Sequence, residues 1–121
     1  MGNNKQVFFE QMEELLPNTR EKCDESIKMH GEWLETVIIE DIFMPEILKL
    51  LSDDKKTETL KAVFDYIEKV VNEDNYLKDI LSITIMEVLG NDKAVLKTAQ
   101  KYMGDTSIKL QLEADKELGR T

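Results

Sequence analysis

The chain has 121 residues, of which 41% are apolar and 34% charged, and its formal net charge at pH 7 is -9. This composition predicts one soluble folded domain over residues 1–121, and no apolar run approaches the roughly 20 residues that a membrane span needs. The acidic balance also argues against direct binding to nucleic acid, because phosphate contacts depend on a basic surface.

Two helices are predicted at the N-terminus. Apolar residues recur at helical spacing until Pro17, which ends the first helix. Asn18, followed three residues later by Glu21, resembles a capping box and opens a second helix that runs to about Met29. Gly31 then breaks the chain, since glycine is the usual residue just past a helix end.

The stretch "EWLETVIIEDIFMPEILKLL" is harder to assign. Its apolar spacing suits a helix, although "TVII" alone would suit a strand. Pro45 has no N–H to donate to the Asp41 carbonyl, so a helix here either kinks or ends and restarts. The prediction is two consecutive helices, at about 32–42 and 45–52.

The next two segments carry the strongest helical patterns. One has an apolar stripe with charged residues on its other side, formed by Leu60, Val63, Phe64, Ile67 and Val71. The other, "YLKDILSITIMEVL", is apolar nearly all round, which predicts a buried central helix. Its β-branched residues at 83–85 would also suit a strand, but its length and the following Gly90 favour a helix.

Three glycines divide the rest of the chain. Gly90, Gly104 and Gly119 each follow Leu or Met, and Asn or Asp follows the first two, as where one helix ends and the next is capped. The expected fold is all-α, with seven or eight short helices in antiparallel hairpins. These helices form either an irregular bundle or a small solenoid of the HEAT type.

Catalytic and metal-binding patterns are scarce. Cys23 and His30 stand seven residues apart, about two helical turns and roughly 10 Å, too far for a direct dyad. Two such residues fall short of the four ligands of a structural zinc site, and no phosphate-binding glycine motif is present. The sequence therefore predicts no cofactor, no metal and no catalysis; Glu40 and Asp41 as an acid–base pair remain a minor alternative.

Charge is distributed unevenly. Residues 1–54 hold 13 acidic side chains against 5 Lys and Arg, whereas residues 55–121 hold 12 against 11. The excess is either a solvated surface or a docking face for a basic partner. The predicted docking residues, with Trp33 as an aromatic anchor, are Glu32, Trp33, Glu35, Glu40, Asp41 and Glu46. Alternatively, Glu40 and Asp41 simply face water, or one of them caps a helix restarting at Pro45.

Four segments carry a resemblance: "EWLETVIIEDIFMPEI", "IMEVLGND", "KYMGDTS" and the closing "LGRT". They resemble a group of small all-helical bacterial proteins that are similar to the immunity proteins encoded beside polymorphic toxins. The resemblance implies a binding protein without catalytic residues.

Two functions follow as hypotheses. The first is an immunity protein that neutralises a basic, nuclease-like toxin by covering its active site. The second is a helical adaptor or regulatory module that binds a peptide or a partner subunit, with a homodimer face as one form of it. A lone cysteine and the lack of a signal-peptide pattern predict a cytoplasmic location.

Overall fold

The computed structural model describes residues 4–32 and 34–119, which form seven helices and no β-strand. The all-α prediction is confirmed. The helices are α1 (Asn4–Leu15), α2 (Arg20–His30), α3 (35–53), α4 (Thr57–Glu73), α5 (75–89), α6 (Lys93–Gln100) and α7 (Asp105–Glu117). None of these described helices is long and apolar enough to cross a lipid bilayer.

One hydrophobic core unites the helices into a small bundle. Its largest side chains include Phe8, Phe9, Phe43 and Phe64, all fully buried. The Phe8 and Phe9 rings meet edge to face at 5.6 Å, and Phe9 lies 6.1 Å from Phe43, so aromatic contacts join α1 to α3. Every residue of the apolar stripe predicted for α4 is buried, which confirms that assignment.

Helix α3 corrects the prediction of two helices at 32–42 and 45–52. It runs without a break from residue 35 to 53, and its central part, Ile39–Phe43, is a π-helix. The Met44 N–H donates to the Ile39 carbonyl, five residues back. A π turn is wider than an α turn, so it accommodates the missing N–H and the ring of Pro45 without ending the helix.

Helix α5 also contains a π-helical segment, Ser82–Met86. The Ser82 hydroxyl donates to the Lys78 carbonyl at 2.9 Å, and the Thr84 hydroxyl donates to the Ile80 carbonyl at 2.7 Å. The helix is less buried than its sequence predicts, because Ile83 is 52% exposed.

The glycine corners follow the prediction in part. Gly31 (φ 75°) and Gly119 (φ 74°) adopt the left-handed conformation expected after a helix. Gly90 (φ -72°) and Gly104 (φ -80°) do not. Asp92 caps α6 as expected, accepting hydrogen bonds from two backbone N–H groups of its first turn.

The capping box predicted at Asn18 is not formed. A short 3₁₀ turn, Pro17–Thr19, precedes α2, and Thr19 occupies the capping position without a side-chain bond to the helix. The Thr19 hydroxyl donates to the Leu16 carbonyl instead, at 2.6 Å. The Asn18 amide is also directed elsewhere, because it donates to Glu46 on α3.

The start of α7 is capped by a different helix. Glu68 of α4 accepts hydrogen bonds from the Ser107 N–H at 2.9 Å, the Ser107 hydroxyl at 2.8 Å and the Thr106 N–H at 3.1 Å. Burial alone would raise the pKa of Glu68, but these hydrogen bonds outweigh it and the pKa is lowered. A Cβ atom at Gly104 would overlap the Glu68 side chain, so a larger residue there would displace the carboxylate that caps α7.

Candidate partner-binding surfaces

Glu40 and Asp41 lie side by side on the outer face of the π-helical segment of α3. Their neighbours Ile39, Ile42 and Phe43 are buried in the core, which fixes the two carboxylates toward solvent. Neither carboxylate makes a hydrogen bond or an ion pair with residues 4–32 or 34–119. Two adjacent, exposed carboxylates therefore lie on a helix whose opposite side packs against the hydrophobic core.

Glu35 has an internal role. It is partly buried, and its Oε1 atom accepts from Lys5 Nζ at 2.7 Å and from the Tyr76 hydroxyl at 3.1 Å. The hydrogen bond from Lys5 is the main reason that the pKa of Glu35 lies below its ordinary value. Glu35 therefore joins α1, α3 and α5, and it is the least available of the predicted docking acids.

Glu46 and Glu32 differ from each other. Glu46 is partly buried and accepts from Asn18 Nδ2 at 3.4 Å. It lines a hollow of about 160 Å³ together with three lysines, Lys49, Lys55 and Lys56, so its local surroundings are not acidic. Glu32 is exposed, in the connection between α2 and α3. Trp33 lies outside the described residues.

Helix α2 adds to the acidic surface. Cys23 is its one buried residue, whereas Glu21, Asp24 and Glu25 are exposed and border a shallow hollow of about 390 Å³. Helices α2 and α3 thus both present carboxylates to solvent, and Glu40 and Asp41 are the best-defined pair among the predicted docking residues.

The cysteine of α2 faces a buried carboxylate. Burial, together with Glu13 and Asp24, raises the pKa of the Cys23 thiol to about 12. Burial likewise raises the pKa of Glu13, whose Oε2 atom has no hydrogen-bond partner in the described part of the chain. A buried thiol that stays protonated is a poor nucleophile, and His30, at the other end of α2, is exposed. Within the described ranges, no group of three or more His, Cys, Asp or Glu residues is arranged to hold a metal ion.

A family model described as "Domain of unknown function (DUF7674)" matches residues 9–118. The chain belongs to this family. The matched range includes α2, α3 and both π-helical segments, so the acidic surface is part of the family domain. No curated protein and no solved structure matches the chain.

The same domain has a second surface that the sequence reasoning missed. A groove of about 380 Å³ lies between α5 and α7, with Ile83, Leu110 and Ala114 among its apolar residues. Glu113 and Glu117 stand on its α7 side. The signal was present in the sequence, because residues 110, 113, 114 and 117 share one helix face, but the prediction of a fully buried α5 hid the exposure of Ile83.

Proposed function

We propose that this protein is a non-catalytic binding protein that captures a basic protein partner through the acidic surface of α2 and α3. The observation that carries the proposal is the pair Glu40 and Asp41, exposed, unpaired among the described residues and fixed on a helix that is buried on its inner side.

The physical basis is electrostatic. Acidic side chains that have no internal partner are available to Lys and Arg residues of another protein, and their summed field accelerates the encounter with a basic surface. Because the backbone of α3 is already ordered, binding there requires little further loss of conformational freedom. Carboxylates at the centre of such an interface contribute most, and those at its rim contribute little.

The partner class follows from the resemblance to toxin immunity proteins. A basic nuclease-like toxin presents the kind of cationic surface that an acidic inhibitor covers, and a cytoplasmic location would place the inhibitor beside the cell's own nucleic acids. The alternative, an adaptor that binds a peptide or a subunit, is favoured by one specific observation, the groove between α5 and α7 in which Ile83 is exposed.

Site-specific cross-linking in the source cells tests the proposal. A photoreactive benzoylphenylalanine replaces Val37, which is 36% exposed and lies one helical turn before Glu40 and Asp41. We expect it to capture a basic protein, and we expect Glu40→Lys with Asp41→Lys to abolish most of the capture. If the captured protein is an enzyme, the wild-type chain should inhibit it and the double variant should not.

The matched control adds the same charge elsewhere. Glu58→Lys with Glu73→Lys reverses two exposed acids at opposite ends of α4. Capture that survives reversal of Glu40 and Asp41, or that both double variants reduce equally, would exclude α3 as the docking surface.

A further inference from the structure

We infer that the groove between α5 and α7 is a docking site for an amphipathic basic helix from another protein. The exposed Ile83 in the groove and the acidic rim around it carry this inference, which does not depend on the docking surface at Glu40 and Asp41.

The floor offers an apolar contact that the protein leaves open. Ile83 is 52% exposed on the π-helical segment of α5, and it faces the groove beside Leu110 and Ala114 of α7. Leu110 and Ala114 are themselves buried, so Ile83 is the apolar side chain that this concave surface of about 380 Å³ leaves open to solvent. An apolar side chain of a partner that covered Ile83 would remove its own surface and that of Ile83 from water, and this burial favours association.

The rim is strongly acidic although its half of the chain is nearly neutral. Asp79, Glu87, Glu113 and Glu117 line the groove, and Lys78 is the one basic residue among the described residues that line it. A concave surface lined by charges of one sign concentrates the field and attracts the opposite charge. The occupant is therefore expected to carry Lys or Arg on both sides of an apolar stripe.

A helix fits this description better than other partners. The groove lies between two helices, and a bound helix can place apolar residues on the floor at i, i+3 and i+4 while its basic residues meet the rim. Nucleic acid is disfavoured by the charge of the rim. A symmetric dimer through this groove is disfavoured as well, because it would bring two sets of carboxylates together.

The test uses a defined probe, a synthetic amphipathic peptide of about 18 residues built from Leu and Lys at helical spacing. Two-dimensional NMR of the labelled full chain locates its binding. We expect chemical-shift changes concentrated at residues 78–87 and 110–117, and helix formation by the peptide in circular dichroism. Changes centred on α2 and α3, or spread over all acidic residues, would overturn the inference.

Variants of equal charge separate docking from general attraction. We expect Glu113→Lys with Glu117→Lys to weaken peptide binding by about tenfold or more, and Glu40→Lys with Asp41→Lys by no more than about threefold. Ile83→Ser should weaken binding about threefold to tenfold without changing its salt dependence, because it removes apolar contact alone. Equal losses in the two double variants, or no loss with Ile83→Ser, would show that the peptide responds only to net charge.

Thermal unfolding of each variant establishes that it is folded before its affinity is interpreted. The two proposals fail separately, since the groove is tested by peptide binding to residues of α5 and α7 and the acidic surface by partner capture at α3.

Discussion

The π-helical segments of α3 and α5 touch each other, and the burial patterns of the two helices match when Ile39 of α3 is aligned with Leu81 of α5. Each helix has three consecutive buried residues in this alignment, namely Ile42, Phe43 and Met44 in α3 and Thr84, Ile85 and Met86 in α5. The next buried residue follows three positions later in both helices, Ile47 in α3 and Leu89 in α5. On the outer side, Asp41 of α3 corresponds to Ile83 of α5, so matching inner faces accompany opposite outer surfaces.

The local causes of the two wide turns differ. In α3 a donor is missing, because Pro45 follows the segment and has no N–H. In α5 donors are added, because the hydroxyls of Ser82 and Thr84 bond to carbonyls four residues back. Both helices bury three consecutive residues at this point, whereas their exposed positions differ, charged in α3 and apolar in α5.

The largest expected effect comes from deleting one exposed residue in each segment. Deletion of Glu40 forces α3 toward a regular α-helix with Pro45 in its interior, which should lower the free energy of unfolding by about 3 kcal/mol or more. Helix α5 contains no proline, so deletion of Ile83 should lower the free energy of unfolding by a clearly smaller amount. Urea denaturation measures both values.

Adding Pro45→Ala to the Glu40 deletion provides the control. If proline makes the wide turn necessary, the alanine should recover most of the lost stability. A larger loss from deleting Ile83 than from deleting Glu40 would contradict the assignment of cause to Pro45.

A smaller loss of stability is expected from removing the Thr84 hydroxyl, which lies in the π-helical segment of α5 and bonds to the backbone. Thr84 is fully buried, and Thr84→Val keeps its shape but leaves the Ile80 carbonyl without this donor. We expect a loss of about 1–2 kcal/mol in unfolding free energy. Thr36→Val, at an exposed position of α3, is the matched control and should change stability by less than about 0.5 kcal/mol.

The smallest effect concerns the link between the two helices, where Glu35 meets Tyr76. The pKa of Glu35 is lowered in the folded protein, chiefly by the hydrogen bond from Lys5. Its stabilising contribution is therefore present above the pKa of the unfolded chain and is lost as the pH falls through the folded pKa. Glu35→Gln should cost less than Thr84→Val at pH 7, and the cost should vanish in acid.

The pKa of Glu13 is shifted in the opposite direction from that of Glu35, so a Glu13 variant serves as a control for the pH dependence of stability. Burial raises its pKa in the folded state, so its ionised form is destabilising once the pH rises through that value. Glu13→Gln should stabilise the protein at neutral pH, with the gain fading as the pH falls. Parallel pH profiles for the two variants would show that one of these carboxylates lies in a different environment.

Much of the fold follows from sequence, because apolar spacing determines which helix face is buried. The α4 stripe shows this well. The π-helical segments do not follow from regular helical periodicity, and a proline such as Pro45 is typical of a helix break. The run Ile42, Phe43 and Met44, too long for one face of an α-helix, was the available signal.

The candidate site was less predictable than the fold. The sequence identifies Glu35, Glu40 and Asp41 equally as acids. Only the fold brings Lys5 and Tyr76 to Glu35 and leaves the other two without a partner among residues 4–32 and 34–119. Such partners are distant along the chain, and no local pattern encodes them. The acidic groove was hidden for the same reason, because its residues come from α5 and α7.

The close contact between Glu68 and Gly104 has a consequence for sequence variation within the family. The carboxylate occupies the space that a Cβ atom would need, and it also caps the helix that begins there. Neither position can change alone without either a steric overlap or an uncapped helix. Across the family, the two positions should therefore be inherited as a pair: where residue 68 becomes shorter, residue 104 is released from glycine, and a capping side chain of its own should appear at the start of α7.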